Sequence, residues 1–200
     1  MPRVAGMTYS KKRVETSDFA AIREREQRDV KEELGAIARP DDRIERAAEI
    51  IRQADAEIAL HLPDRDKAAA SLWFYEQVLG LPKVLGIAPN AYREVLSKAL
   101  YDDPKKPLPV GDSPEKLVKL AEEAGIERVD DAAEELPRLA RIVAAARARR
   151  ATAVVFMREA ALVLSEEPYG WSGEKIAEHA GVTTKLIWQQ QRTARLARNR

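Results

Sequence analysis

The side chains best suited to act on another molecule gather near the C-terminal end, in Thr183-Thr184-Lys185-Leu186-Ile187-Trp188-Gln189-Gln190-Gln191-Arg192 and in Arg195 and Arg198 beyond it. A Gln amide can pair bidentately with adenine, a Thr methyl can meet the thymine methyl, and Lys and Arg neutralise phosphates. That chemistry is recognition, not turnover. The means of catalysis are thin elsewhere: His61 and His179 are the only histidines, and there is no cysteine to supply a thiolate, a disulfide or a metal ligand. Gly170-Trp171-Ser172-Gly173 places Glu174 where a nucleophile elbow needs its last glycine. Neither a Walker loop nor a dinucleotide fingerprint is present. Asp102-Asp103 and Asp130-Asp131 could in principle hold a divalent ion, but they stand in loop or helix-cap settings, where Asp is favoured for backbone reasons. The sequence therefore predicts a non-enzyme with no catalytic residue, no metal site and no cofactor.

The elements that must position these residues are short. Residues 173–180 read as a helix, Ala177 is small enough to let a second helix approach, and Gly181 takes the corner. Val182 plugs the turn, and Thr183 is a good N-cap for the second helix. Ile176, Ala180, Val182 and Ile187 supply the seam between the two helices. At roughly 100° per residue, Leu186, Ile187, Gln190, Ala194 and Ala197 share one side, expected to be buried. Thr184, Lys185, Trp188, Arg192 and Arg195 share the other. The run I-A-E-H-A-G-V-T-T-K-L-I-W-Q-Q resembles the helix-turn-helix superfamily of bacterial DNA-binding proteins, with Gln190 where that pattern usually has an apolar residue. The resemblance implies that Thr183, Thr184, Lys185, Trp188 and Gln189 face base edges, and that Arg192, Arg195 and Arg198 reach phosphates.

The net charge of +1 is uninformative, but its distribution is segregated. Residues 138–158 hold six arginines and no acid, and residues 182–200 hold Lys185, four arginines and no acid. Residues 102–137 hold eleven acids against five bases. Such segregation creates a local field that a phosphate line would meet favourably. Arg147, Arg149 and Arg150 are accordingly expected to touch flanking phosphates.

Along the chain, residues 1–16 read as a disordered basic arm. A charged helix from about Ser17 to Ala38 carries a thin stripe of Phe19, Ile22, Val30, Leu34 and Ile37. Pro40 ends it, and Asp41 or Asp42 is expected to cap the next helix, with Ile44, Ala47, Ile51, Ala54 and Ile58 as its core stripe and His61 at its end. A separate helix is expected from Asp64 to Leu79, around Leu72-Trp73-Phe74-Tyr75. Leu85-Gly86-Ile87 then parallels Ala180-Gly181-Val182, and Pro89 suits the first turn of a following helix. That pair is a possible second helix-turn-helix over 81–100, with Asn90, Arg93, Ser97 and Lys98 as candidate DNA contacts and Glu94 as a repulsive neighbour. Each half thus shows an aromatic-bearing helix, a short helix, a Gly turn and a final helix.

The prolines of residues 104–113 read as a linker. Ser113-Pro114-Glu115 opens a helix that stops near Gly125. From about Asp131, Leu136, Leu139, Val143, Ala146, Ala153, Met157, Ala160 and Leu164 form one seam, and Arg150 falls on it, so that either the helix breaks near 149–151 or the arginine snorkels out. No alternating β pattern competes.

The expectation is an all-α, multi-helix chain of eight to ten helices, with an N-terminal helical domain (17–103) and a C-terminal helical domain (114–200) carrying a helix-turn-helix at 173–198. It is expected to be a cytoplasmic, nucleoid-associated bacterial protein that binds double-stranded DNA sequence-specifically as a transcriptional regulator, with a homodimer as one possible assembly and no membrane span. Two other functions fit the same residues: a helical adaptor using the acidic middle or Trp73-Phe74-Tyr75, and a DNA-organising or packaging factor of a mobile element.

Overall fold

The periodic apolar stripes fold as helices throughout the computed structural model, which describes residues 13–109 and 113–198. In chain order these are α1 (Phe19–Ala36), α2 (Pro40–Glu76), α3 (Leu81–Leu85), α4 (Pro89–Tyr101), α5 (Pro114–Glu123), α6 (Ala132–Ser165), α7 (Gly173–Ala180) and α8 (Thr184–Arg198). No strand occurs among the described residues, so the chain is all-α. Residues 1–12 of the expected basic arm and 110–112 of the expected linker lie outside the described residues. No helix among those described is long and apolar enough to cross a membrane.

Several boundaries differ from the sequence expectation. Pro40 opens α2 as its first residue, where its missing N–H costs nothing. Asp41 and Asp42 therefore sit inside the first turn rather than capping it, and the Asp41 carboxylate pairs with Arg39. Bonding to that guanidinium holds the Asp41 carboxyl below its ordinary pKa.

The two helices expected around 44–61 and 64–79 are one continuous α2 that runs through Pro63 and leaves His61 mid-helix. A proline inside a helix costs roughly 3 kcal/mol. Buried residues on both sides oppose a break, Ile44, Ala47, Ala48 and Ala54 before the proline and Ala68, Ala69, Leu72 and Phe74 after it. The helix ends at Glu76, which leaves Leu79 largely exposed. In the same way α6 does not break at 149–151. Arg150 leaves the seam and its Nε lies 2.6 Å from Asp55 Oδ1. The other seam residues, from Leu136 to Leu164, are buried as their spacing requires.

The chain forms two compact units, and neither is a continuous half of the sequence. Of the described residues, one contains 20–58 and 144–198, the other 13–19 together with 59–109 and 113–143. Residues 104–109, expected as part of a linker between 17–103 and 114–200, fall within the second of these units.

In the first of these units Val30 and Leu34 of α1, Ile44 and Ala47 of α2, Met157 and Leu164 of α6, and Ile176 and Ile187 of α7 and α8 share one core. The α2 and α6 segments run antiparallel within it, since Asp55 meets Arg150 while Glu57 meets Arg149. In the other unit the Tyr75 hydroxyl donates to the Ile126 carbonyl at 2.6 Å, and the Val129 N–H donates to Ser71 Oγ at 2.9 Å. These two bonds fix the α5–α6 connection against α2.

Gly86 closes α3 at φ 64°, and a Cβ there would lie 2.5 Å from Phe19 Cγ. Gly125 has φ +71° with open space around it. Gly125→Ala should therefore cost only the left-handed strain, about 1 kcal/mol. Gly86→Ala adds a clash with a buried ring and should cost about 3 kcal/mol in total. Urea denaturation of the two variants checks the order, and equal losses would contradict it.

Candidate nucleic-acid interface

The α7–α8 pair is built by local hydrogen bonds. Ser172 accepts from the Lys175 N–H at 3.2 Å and caps α7. At the far end Gly181 adopts φ 64°. Its N–H donates to the Glu178 carbonyl at 3.1 Å, and the Val182 N–H donates to the Ala177 carbonyl at 3.0 Å. These are the paired bonds of a glycine-closed helix end. Two residues on, Thr183 Oγ1 accepts from the Leu186 N–H at 3.3 Å and starts α8, the capping role expected of it. Outside the pair, Arg52 of α2 donates to the Ala180 carbonyl at 3.2 Å, a further partner for the end of α7.

Ile176, Ala177 and Ala180 are buried on α7, and Ile187, Gln191 and Ala194 on α8. The buried stripe of α8 therefore runs through Gln191, not through Gln190 and Ala197 as expected; Ala197 is exposed. Gln191 is satisfied there because its amide nitrogen donates to the Ala161 carbonyl at 3.2 Å. Gln190 is half-buried at the edge and accepts from Arg158 Nε at 3.1 Å.

The candidate readers divide by surroundings. Lys185 and Gln189 are exposed on α8, Thr183 is exposed at its cap, and Thr184 is half-buried. Trp188 is 60% exposed, but its indole covers Gly173: a Cβ on that glycine would lie 2.4 Å from Trp188 Nε1. The ring is thus a packing element of the pair as well as a surface residue. Around α7, Lys175 Nζ lies 4.0 Å from the Trp171 ring centroid, and His179 meets the same ring edge-on.

The basic residues divide more sharply. Arg192 and Arg195 are exposed, and among the described residues neither they nor Lys185 has an ion-pair partner. Arg198 lies 2.9 Å from Glu166. Arg149 Nε lies 3.3 Å from Glu26, and its Nη2 pairs with Glu57; Arg150 is held by Asp55. Arg147 also has a partner. Two arginines of the acid-free stretch 138–158, Arg149 and Arg150, are thus paired with acids distant in sequence, which weakens the case for phosphate contact by them. On α4, Asn90, Arg93 and Lys98 are exposed beside Glu94. Ser97 is only 3% exposed and cannot reach a groove, which removes it from the candidate contacts.

Sequence reasoning missed Ser172 as a cap, Gln191 as an anchor and Arg52 as a partner of the α7 terminus. The first two were signalled, by a Ser directly before the helix and by the four-residue step from Ile187. Arg52 carried no local signal. Comparison with protein-family models, curated proteins and solved structures finds no match. The site therefore rests on its own geometry.

Because Gly173 leaves room for the indole, Gly173→Ala should push Trp188 off α7 into a poorer rotamer at a cost of about 1 kcal/mol. Acrylamide should then quench tryptophan emission more strongly. Unchanged quenching would show that the ring does not depend on the missing Cβ.

Proposed function

We propose that this protein binds double-stranded DNA through the exposed face of α8, reading sequence as a transcriptional regulator. One observation carries the reading: of the arginines in the C-terminal third, those paired with acids lie on α6 or at the end of α8, while Lys185, Arg192 and Arg195 remain uncompensated on one helix surface. Placing uncompensated cations together costs self-repulsion and repays nothing within the fold. A phosphate line offsets that cost through counterion release.

Gln189 is exposed near the start of α8, close enough in sequence to Lys185 and Arg192 for base-edge and phosphate contacts to come from one helix face. The turn supports the same reading, because Gly181 and Thr183 close α7 and open α8 within three residues and so hold the second helix rigidly. In such an arrangement the second helix enters the major groove.

Gel shift against a pool of random-sequence duplexes across a salt series tests the reading, and no retardation at low salt would overturn it. Arg192→Ala should weaken every duplex alike and lower the slope of log K against log salt by about one. Gln189→Ala should instead alter which sequences are selected from the pool.

Arg149→Ala separates compensated from free arginines. It should leave the salt slope unchanged while destabilising the fold by about 1–2 kcal/mol, since Glu26 and Glu57 lose a shared, partly buried partner. A lowered slope in this variant would show that Arg149 meets phosphate.

A further inference from the structure

The two halves of the chain repeat in detail. The order short helix, long helix, short helix, final helix occurs as α1 to α4 and again as α5 to α8. Between the long helices a constant offset of 92 residues relates buried position to buried position: Ile44 to Leu136, Ala48 to Ala140, Ala54 to Ala146, Ala69 to Ala161 and Leu72 to Leu164.

At the corners the offset is 95, from Gly86 to Gly181, and both glycines have φ 64°. The closing bonds also correspond. Gly86 N–H donates to Lys83 as Gly181 N–H does to Glu178, and Ile87 N–H donates to Pro82 as Val182 N–H does to Ala177. α3 and α7 start 92 residues apart, and α7 is three residues longer than α3, which accounts for the change in offset at the corner. Past the corners, buried Tyr92 and Leu96 correspond to buried Ile187 and Gln191. An amphipathic stripe alone would align at many offsets; matching glycine closures alongside it would not.

The compact units cut across these repeats. One unit takes α1 beyond Phe19 and the first half of α2 from the first repeat, with the second half of α6, α7 and α8 from the second. The other takes the second half of α2, α3 and α4 from the first repeat, with α5 and the start of α6 from the second.

We infer that the chain is two copies of one four-helix module that have exchanged halves, so that the surface each repeat offers fits a second copy of the same module. In this chain that partner is the other repeat. The α7–α8 pair is consequently held by the first repeat: Arg52 donates to the Ala180 carbonyl, the His179 ring meets the Asp41 carbonyl at 3.2 Å, and Ile44 and Ala47 share the core of Ile176 and Ile187. The core of the unit that holds α7 and α8 draws on both repeats.

A site-specific protease sequence placed between Asp103 and Leu108 of the full chain tests this. After cleavage the two fragments should remain a 1:1 complex by native mass spectrometry, with helix content unchanged. The cleaved chain should acquire a Tm that rises with protein concentration, because dissociation and unfolding are then one event, while the uncleaved insertion variant keeps a concentration-independent Tm. Two outcomes would overturn the inference: fragments that separate as folded monomers, and a cleaved complex whose Tm ignores concentration. Either would mean that each repeat holds its own core.

Discussion

The charge cluster in which Arg149 of α6 meets Glu26 of α1 and Glu57 of α2 is the constraint on which the rest of one unit depends. It aligns α6 antiparallel to the first half of α2, and Arg150 with Asp55 repeats the contact. It also consumes the positive charge of a stretch that looks like a nucleic-acid surface in the linear sequence. With these arginines paired at home, Lys185, Arg192 and Arg195 of α8 stand out as exposed cations without an ion-pair partner among the described residues. Partly buried pairs of this kind are costly to break from one side, because the remaining acids lose their partner while still partly desolvated.

The same unit seats the α7–α8 corner. Gly181 closes one helix, Thr183 opens the next, and Ile176 and Ile187 anchor both in the core shared with α1, α2 and α6. The exposed face of α8 is therefore presented by a corner whose backbone bonds are satisfied. Gln191, buried yet hydrogen-bonded to the Ala161 carbonyl, ties the middle of α8 to α6. Proximity of Trp188 to Gly173 adds an aromatic cover that only a glycine permits.

How much of the fold and the site is legible in the sequence depends on the range of the interactions involved. The stripes of α2 and α6 and the Gly181–Thr183 corner are set by residues within a turn or two of each other, and they are readable. The buried stripe of α8 keeps the expected Ile187 and Ala194 but takes Gln191 in place of Gln190, because the partner that satisfies Gln191, the Ala161 carbonyl, has no local signature. Ser97 misleads for a similar reason: a small polar side chain fits a packed helix face as readily as a wet one. Compensation of Arg149 and Arg150 depends on partners far away in sequence. The interleaving of the units depends on which half of each long helix packs with which, and helical periodicity carries no information about that.

Binding of a duplex by the outer face of α8 is open to a direct test by lysine acetylation footprinting. Lys185 is the one lysine on α8, while Lys98 lies on α4 and Lys119 on α5. With a random-sequence duplex bound at low salt, Lys185 should be protected from acetylation, while Lys98 and Lys119 react as in the free protein. A bound complex in which Lys185 reacts at its free rate would contradict α8 as the duplex-binding surface.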